Sequence, residues 1–383
     1  MDAFTFVHSS DFQLGMTRHF LDPKDAGPRF VQDRIDAIEA LGRLATDHDA
    51  QCIVVAGDVF ESNQLSDQVV ARAVRTMAGL PVPIILLPGN HDPLDASSLY
   101  DVAAIREASN RIIVVRDSEP FQIPGIAGVE FVGAPWFSKR PVTDLCANML
   151  EGLAPTGMSY RIAIAHGQTR DQAPDPDGPG LIDLATAEAA IADRRIHYLA
   201  LGDRHSTTEK GSTGAIWYSG APVATDFDEQ ASGSALVVTL TEDGRPQVKT
   251  HRIGEWVFDE RHFEVNDETD LEVLRDWFAG HASPAKTVAY LSMSGTVNLA
   301  TKARLDALLD EMETKYASVR IHERHHDLVV APDKFDNDSL ALSGYARDAW
   351  EELIQGAVGM DDAARVDQDA LALFYRLAGG ADQ

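Results

Sequence analysis

Short apolar runs, each stopped by glycine or by a polar cluster, alternate over the first 250 residues with longer stretches of helical periodicity. Phe4-Thr5-Phe6-Val7 reads as a strand ending at His8-Ser9-Ser10-Asp11. Val31, Ile35, Ile38, Leu41 and Leu44 then recur at helical spacing with charges between them, predicting a helix over 30–48. A second buried strand, 52–56, stops at Gly57-Asp58, and a helix follows over 67–77. Ile84-Ile85-Leu86-Leu87 is a third strand, broken by Pro88-Gly89 and followed at once by Asn90-His91-Asp92. Strand, helix, strand, helix, strand predicts right-handed crossovers and a mainly parallel sheet.

Residues 97–109 read as another helix and 111–115 as a strand. The segments 121–123 and 129–134, on either side of Pro124-Gly125, resemble antiparallel strands and predict the start of a second sheet. A helix over 142–153 precedes the strand 161–165, which ends at His166-Gly167. A loop rich in Asp, Pro and Gly fills 171–180, a helix 184–192, and the strand 198–201 ends at Gly202-Asp203-Arg204-His205. Strands over 216–219, 235–240 and 247–253 complete a core domain, 1–253. Beyond it, strands over 257–265, 287–293 and 317–325 alternate with helices over 270–279 and 299–315, without carboxylates at the strand ends. These predict a small α/β capping domain over 254–331. The acidic linker 333–338 then leads to amphipathic helices over 339–355 and 367–378, a helical tail spanning 332–383. Its apolar and aromatic residues, among them Leu340, Tyr345, Trp350, Leu371 and Phe374, either pack back on the cap or form a partner surface.

Bulk properties narrow the function. The net charge of −27 argues against a stand-alone nucleic-acid binder that relies on a general basic field. It leaves room for an enzyme whose substrate is held by metals, a local basic patch or a partner. Cys52 and Cys146 sit in apolar surroundings and form no framework, so reduced thiols and a cytoplasmic location are expected. No apolar run is long enough to span a bilayer, and residues 1–10 do not read as a secretion signal, so no membrane partner is expected.

Asp11 with Gln13, Asp58, Asn90 with His91, His166, and Asp203 with His205 all follow buried strands. Any one of them has a bland reading, and Asn90-His91-Asp92 alone could be a capped turn. Together they would meet at one edge of the sheets, where open α/β folds bind ligands. Carboxylates, amides and imidazoles at that density suit divalent cations. Two such ions can clamp the attacking and leaving oxygens of a phosphoryl displacement.

The segments His8-Ser9-Ser10-Asp11-Phe12-Gln13-Leu14-Gly15, Gly57-Asp58, Gly89-Asn90-His91-Asp92, Ala165-His166-Gly167 and Gly202-Asp203-Arg204-His205 resemble the five ordered motifs of the calcineurin-like metallophosphoesterases. Within that family the chain is most similar to the SbcD-type DNA repair nucleases, and residues 218–227 resemble the segment that follows the last motif there. The resemblance implies a two-sheet αββα sandwich. It implies one metal held by Asp11, Gln13, Asp58 and His205, and a second held by Asp58, Asn90, His166 and Asp203. Mn is the implied metal, with Mg or Fe as alternatives. His91 would assist the leaving oxygen without binding metal, and His8 would be a packing residue. DNA, an SMC-like coiled-coil ATPase bound through the C-terminal helices, and a second copy of the chain are the implied partners. The family usually carries His in place of Gln13 and of Asp203, so this site trades two nitrogen donors for oxygen. Two further readings stay open: a phosphoesterase for small esters, and a catalytically weakened DNA-end-binding scaffold.

Overall fold

The computed structural model describes all residues except 1, 22–24, 158, 174, 177, 179, 323–326, 331–341, 359–360 and 380–383. The chain forms two compact units, Met1–Trp256 and Val257–Gln383. In the first, the elements in chain order are β1 (Phe4–Ser9), α1 (Ala26–Asp47), β2 (Ile53–Val55), α2 (Asp67–Ala78), β3 (Ile84–Leu86), α3 (Ala103–Glu107), β4 (Ile112–Val114), β5 (Val129–Gly133), α4 (Leu145–Glu151), β6 (Tyr160–His166), α5 (Leu184–Ala192), β7 (Tyr198–Gly202), β8 (Thr208–Lys210), β9 (Ile216–Tyr218), β10 (Ser234–Leu240) and β11 (Pro246–Arg252).

One sheet has the order β11-β10-β1-β2-β3-β4. Its strands β1 to β4 are parallel, and β10 and β11 are added antiparallel. The other has the order β5-β6-β7-β9-β8. Period-two alternation sets the layers. Phe6, Val54 and Ile85 of the first sheet share a core with Phe131, Ile162 and Tyr198 of the second. On the first sheet's other face, Val7, Val55 and Leu86 pack with Ile38, Leu41 and Met77 of α1 and α2. On the second sheet's other face, Val132, Ala163 and Leu199 pack with Met149, Leu150 and Ala187 of α4 and α5. The result is an αββα sandwich, the mixed α/β class expected.

Two local expectations are corrected, and one strand goes beyond them. The second sheet does begin near residue 129, but it does not begin antiparallel. Phe121 and Phe131 form one antiparallel bridge, whereas β5, β6, β7 and β9 run parallel, because α4 and α5 return the chain across the sheet. The helix expected over 97–109 breaks into a 3-10 turn, Leu99–Asp101, and α3. Ser98 caps the turn at Tyr100 N, and Val102 is extended. Strand β8 is short and polar, so it carries no apolar signal.

In the second unit β12 (Val257–Glu264), α6 (Glu268–Ala279), β13 (Thr287–Val297), α7 (Leu299–Lys315), β14 (Ser318–Ile321) and β15 (Asp327–Val330) make a parallel sheet backed by helices. Strand β15 pairs with the far end of β13, a strand longer than the apolar run 287–293. Helices α8 (Tyr345–Gly356) and α9 (Asp362–Gly379) follow. Trp350 and Leu371 enter the same core as Leu305 and Leu308 of α7 and Val330 of β15. Helices α8 and α9 therefore complete the hydrophobic core of the second unit. The linker 333–338, Leu340 and the end of the strand expected over 317–325 lie outside the described residues. Among the described residues, no helix is long and apolar enough to cross a membrane.

Leu371 is fully buried, so Leu371→Ala should cost about 2–5 kcal/mol. Hydrogen–deuterium exchange should then speed up across α8, α9 and α7 together; unchanged exchange in α7 would show that the tail is not part of that core.

Candidate metal centre

The parallel strands β1, β2 and β3 of one sheet and β6 and β7 of the other end at a common edge, and the backbone there is unusual. Among the described residues, seven non-glycine residues have positive φ, and four of them are Asp11 (55°), Gln13 (43°), Asp58 (51°) and Asp203 (97°). Left-handed backbone costs of order 1–3 kcal/mol at such positions and is concentrated where function requires it. The turns are tied to one another: Asp11 N donates to Gly57 O (3.0 Å) and Gln13 N to Asp58 O (2.9 Å). Only glycine fits at two contacts. A Cβ on Gly57, which has φ +95°, would strike His166 Nδ1, and one on Gly89 would strike Asp58 Oδ1.

Three side chains converge around His166. Its Nδ1–H donates to Ala56 O (2.8 Å), which leaves Nε2 facing the site. Nε2 lies 2.8 Å from Asn90 Oδ1, 3.4 Å from Asp58 Oδ2 and 3.7 Å from Asp203 Oδ1. Asp11, Asp58 and His166 are buried, with ligand atoms within 4.8 Å of one another. His205 Nε2 faces Asp11 Oδ1 at 4.0 Å. Gln13 Oε1 is buried without a hydrogen-bond partner, the condition of an amide oxygen kept for a cation. Asn90, Asp58 and Asp203 thus gather at His166, Asp11 lies within reach of Asp58 and His166 and faces His205, and Gln13 lines the same cleft as His205 and Asp203; this donor set fits divalent metals.

His91 stands beside this cluster. Its main-chain N–H donates to Asp58 Oδ1 (2.9 Å) and its Nδ1–H to Glu61 O (3.0 Å). Nε2 is 3.9 Å from Asp58 Oδ2. His91, Gln13, Asp203 and His205 line a cleft of about 530 Å³ that also carries Glu61 and Asp228. His8 lies away from the cleft lining: it is fully buried, with Nδ1 3.0 Å from Tyr198 Oη and Nε2 3.2 Å from Leu201 O, and burial pushes its pKa down to about 3. Asp92 locks the turn. It accepts from Gly89 N (2.8 Å), Phe60 N (2.9 Å) and Tyr100 Oη (2.6 Å).

Two supporting residues were not visible in the sequence. Glu229 accepts from His205 Nδ1–H at 2.7 Å and also from Thr225 N (2.9 Å). It fixes the imidazole so that Nε2 points inward, the usual carboxylate–histidine arrangement of metal sites. Its only sequence signal was proximity to the segment 218–227. Arg34, on the buried face of α1, is itself buried, and its Nη1 donates to Phe12 O (2.7 Å), the carbonyl between Asp11 and Gln13.

The electrostatics report crowded negative charge. Burial raises the Asp11 pKa to about 6, with Asp58 adding to the rise, although His205 and His166 oppose it. Burial also raises Asp203. Asp58 is instead held below the ordinary carboxylate range, because His166 and His91 outweigh its burial. Burial alone would lower His166, but Asp58, Asp11 and Asp203 drive it well above its ordinary value.

An αββα sandwich with carboxylates, imidazoles and an amide gathered at one strand edge is the frame of a metallophosphoesterase. The chain belongs to the calcineurin-like phosphoesterase family, which it matches over residues 4–239. It is also similar to the DNA double-strand break repair protein Mre11 of Halobacterium salinarum, at 23% identity over 391 residues, covering 98% of this chain and 90% of that protein. The SbcD component of the Bacillus subtilis nuclease SbcCD is 24% identical over 273 residues, 63% of this chain and 66% of that one. Among solved structures, a Thermus thermophilus protein has a TM-score of 0.41 at 13% identity, covering 66% of this chain and 99% of its own. A purple acid phosphatase from yellow lupin (Lupinus luteus) seeds has a TM-score of 0.37 at 12% identity, covering 66% of this chain and 52% of its own. Phosphoester hydrolysis and divalent metals are the chemistry and the cofactors of the family.

Replacing Glu229 by Ala should weaken metal binding about 10–100-fold, the usual cost of losing such a partner. Calorimetric titration of metal-stripped protein with Mn would measure it, and an unchanged affinity would mean that Glu229 does not orient His205.

Proposed function

We propose that this protein is a two-metal phosphodiesterase acting on DNA, the nuclease subunit of a repair complex with an SMC-like coiled-coil ATPase. The observation that carries this reading is the pair of overlapping donor groups around Asp58 and Asp11, with His91 beside them. Asp58, Asn90, His166 and Asp203 would hold one ion. Asp11, Gln13 and His205 would hold the other, with Asp58 shared. When bound, the ions would supply charge neutralisation on the phosphoryl oxygens and activation of a water.

The protein's own groups do the rest. His91 Nδ1–H is committed to Glu61 O, so Nε2 is the atom available to hand a proton to, or stabilise, the departing oxygen. Asp92 keeps Asn90 and His91 in place by fixing the turn that carries them. Gln13 and Asp203 supply oxygen where the family usually has nitrogen. That shift favours Mn, Mg or Fe over softer metals, with Mn first. The buried, unpartnered Gln13 Oε1 supports a ligand's role and weighs against a weakened scaffold.

Partners follow from the surface. Tyr345, Val366, Leu373 and Leu377 are exposed on α8 and α9, while Trp350 and Leu371 of the same helices are buried. These helices therefore offer an apolar outer face, which suits a partner's coiled coil. A basic ATPase surface would also offset the acidity of this chain toward DNA. A homodimer and a cytoplasmic location belong to the same proposal. The second reading, a phosphoesterase for small esters, draws support from the carboxylates Glu61, Asp226 and Asp228 in the cleft.

With Mn present, the wild type should degrade single- or double-stranded DNA, and His91→Ala should slow the reaction about 10²–10⁴-fold. Hydrolysis of bis-(p-nitrophenyl) phosphate without any DNA cleavage would favour the small-ester reading. DNA cleavage undiminished in His91→Ala would remove His91 from the chemistry.

A further inference from the structure

Beside the main cleft lies a second cavity of about 300 Å³, lined in part by Asn90, Trp136, Lys139, Arg140, Gln168 and Asp203. Gln168 and Asp203 line both cavities, so the two meet over the metal centre. Their charge differs. The main cleft is edged by Glu61, Asp226, Asp228 and Glu229 and also carries Arg18 and Arg204, of which Arg18 already faces Asp226 (3.6 Å) and donates to Thr225 O (2.7 Å), whereas the second presents Lys139 and Arg140 with Asp203 as its one carboxylate among the described residues. In a chain of net charge −27, a cavity whose two adjacent cations outnumber its one carboxylate suits a negatively charged occupant.

The loop that carries them has a fixed root and an open tip. Trp136 N donates to Pro88 O (3.2 Å), Leu94 N to Trp136 O (2.8 Å), and Trp136 Nε1 to His166 O (2.9 Å). Trp136 is thus tied to both strand ends that supply Asn90 and His166. The next four residues, Phe137-Ser138-Lys139-Arg140, are exposed, Phe137 by 56% despite its apolar ring. Neither Lys139 nor Arg140 makes an ion pair among the described residues, although Lys139 lies within electrostatic reach of Asp95. An exposed aromatic ring next to unpaired cations, on a rigid root beside a phosphoryl-transfer centre, is the chemistry of a single nucleic-acid strand: phosphates for the cations and a base for the ring.

We propose that the Phe137–Arg140 loop is a strand-binding element. Lys139 and Arg140 take backbone phosphates next to the scissile one, and Phe137 stacks on a base. This deepens the nuclease reading and rests on it: the substrate is a polynucleotide lying through both cavities, with its flanking phosphates on the loop side and away from the acidic cleft.

The test is fluorescence anisotropy of labelled oligothymidylate with the full chain in EDTA, where no hydrolysis occurs, over a range of salt. Lys139→Ala/Arg140→Ala should weaken binding and lower the slope of log affinity against log salt by about 1.4, about 0.7 for each lost phosphate contact. Phe137→Ala should weaken binding about tenfold with the slope unchanged, as loss of a stacked base does. Circular dichroism melting shows whether each variant is folded. Folded variants that match the wild type in affinity and slope would overturn the proposal. So would a Phe137→Ala variant that dissociates a dimer in light scattering while binding DNA normally, since the loop would then be an interface between copies. Wild-type hydrolysis with Mn is read separately. If binding depends on the loop and no metal supports hydrolysis, the catalytic reading fails and the strand-binding loop stands.

Discussion

Asp11 and Asp58 are buried together at the meeting point of two sheets, with Asp203 close by. Like charges in such a place repel strongly, because little water screens them. Burial raises the Asp11 pKa to about 6, and His205 and His166 oppose that rise by supplying part of the balancing charge. Divalent cations would balance the remainder. The surrounding structure serves this constraint. Left-handed turns at Asp11, Gln13, Asp58 and Asp203 aim side chains that ordinary strand ends would splay apart. Gly57 and Gly89 let His166 and Asp58 approach. Arg34, Asp92 and Glu229 hold the turns and the rings from behind.

Much of this was legible in the sequence because burial and chemistry change abruptly at each strand end. Ile84-Ile85-Leu86-Leu87 gives way to Pro88-Gly89-Asn90-His91 within a few residues, and the same break recurs at Asp11, Asp58, His166 and Asp203. Helices were readable as well, and 184–192 and 299–315 form as expected. What stayed hidden depends on three-dimensional neighbours. Arg34 lies between Phe30 and Ile38 on the apolar stripe of α1, but a charge there names no acceptor, and only the fold brings it to the carbonyl of Phe12. Glu229 lies in an irregular segment, and only the fold brings it to His205. The direction of β5 was misread because alternation reports exposure and not strand direction; the crossover helix α4 decides that. The cap's tail was ambiguous because an amphipathic helix looks alike on a core and on a partner. Here one face of the tail meets the core, through Trp350 and Leu371, and another remains exposed.

In the proposed ligand set, Gln13 and Asp203 offer oxygen, one as a neutral amide and one as a carboxylate, which would make the site harder and more negative than one built on imidazoles. Acidity at the centre, and over the chain as a whole, would make cations the first requirement for any phosphate-bearing substrate. Opposing charge is offered by the basic loop and by Arg18 and Arg204 at the main cleft, and the proposed partner subunit would add to it.

The central claim is that Asp58 joins two cation sites. Metal-stripped protein titrated with Mn and analysed by elemental analysis after gel filtration tests it directly. Two Mn per wild-type chain are expected, with loss of both in Asp58→Asn, since the shared carboxylate serves each site. A wild-type stoichiometry of one or none, or an Asp58→Asn variant that keeps two ions, would contradict it.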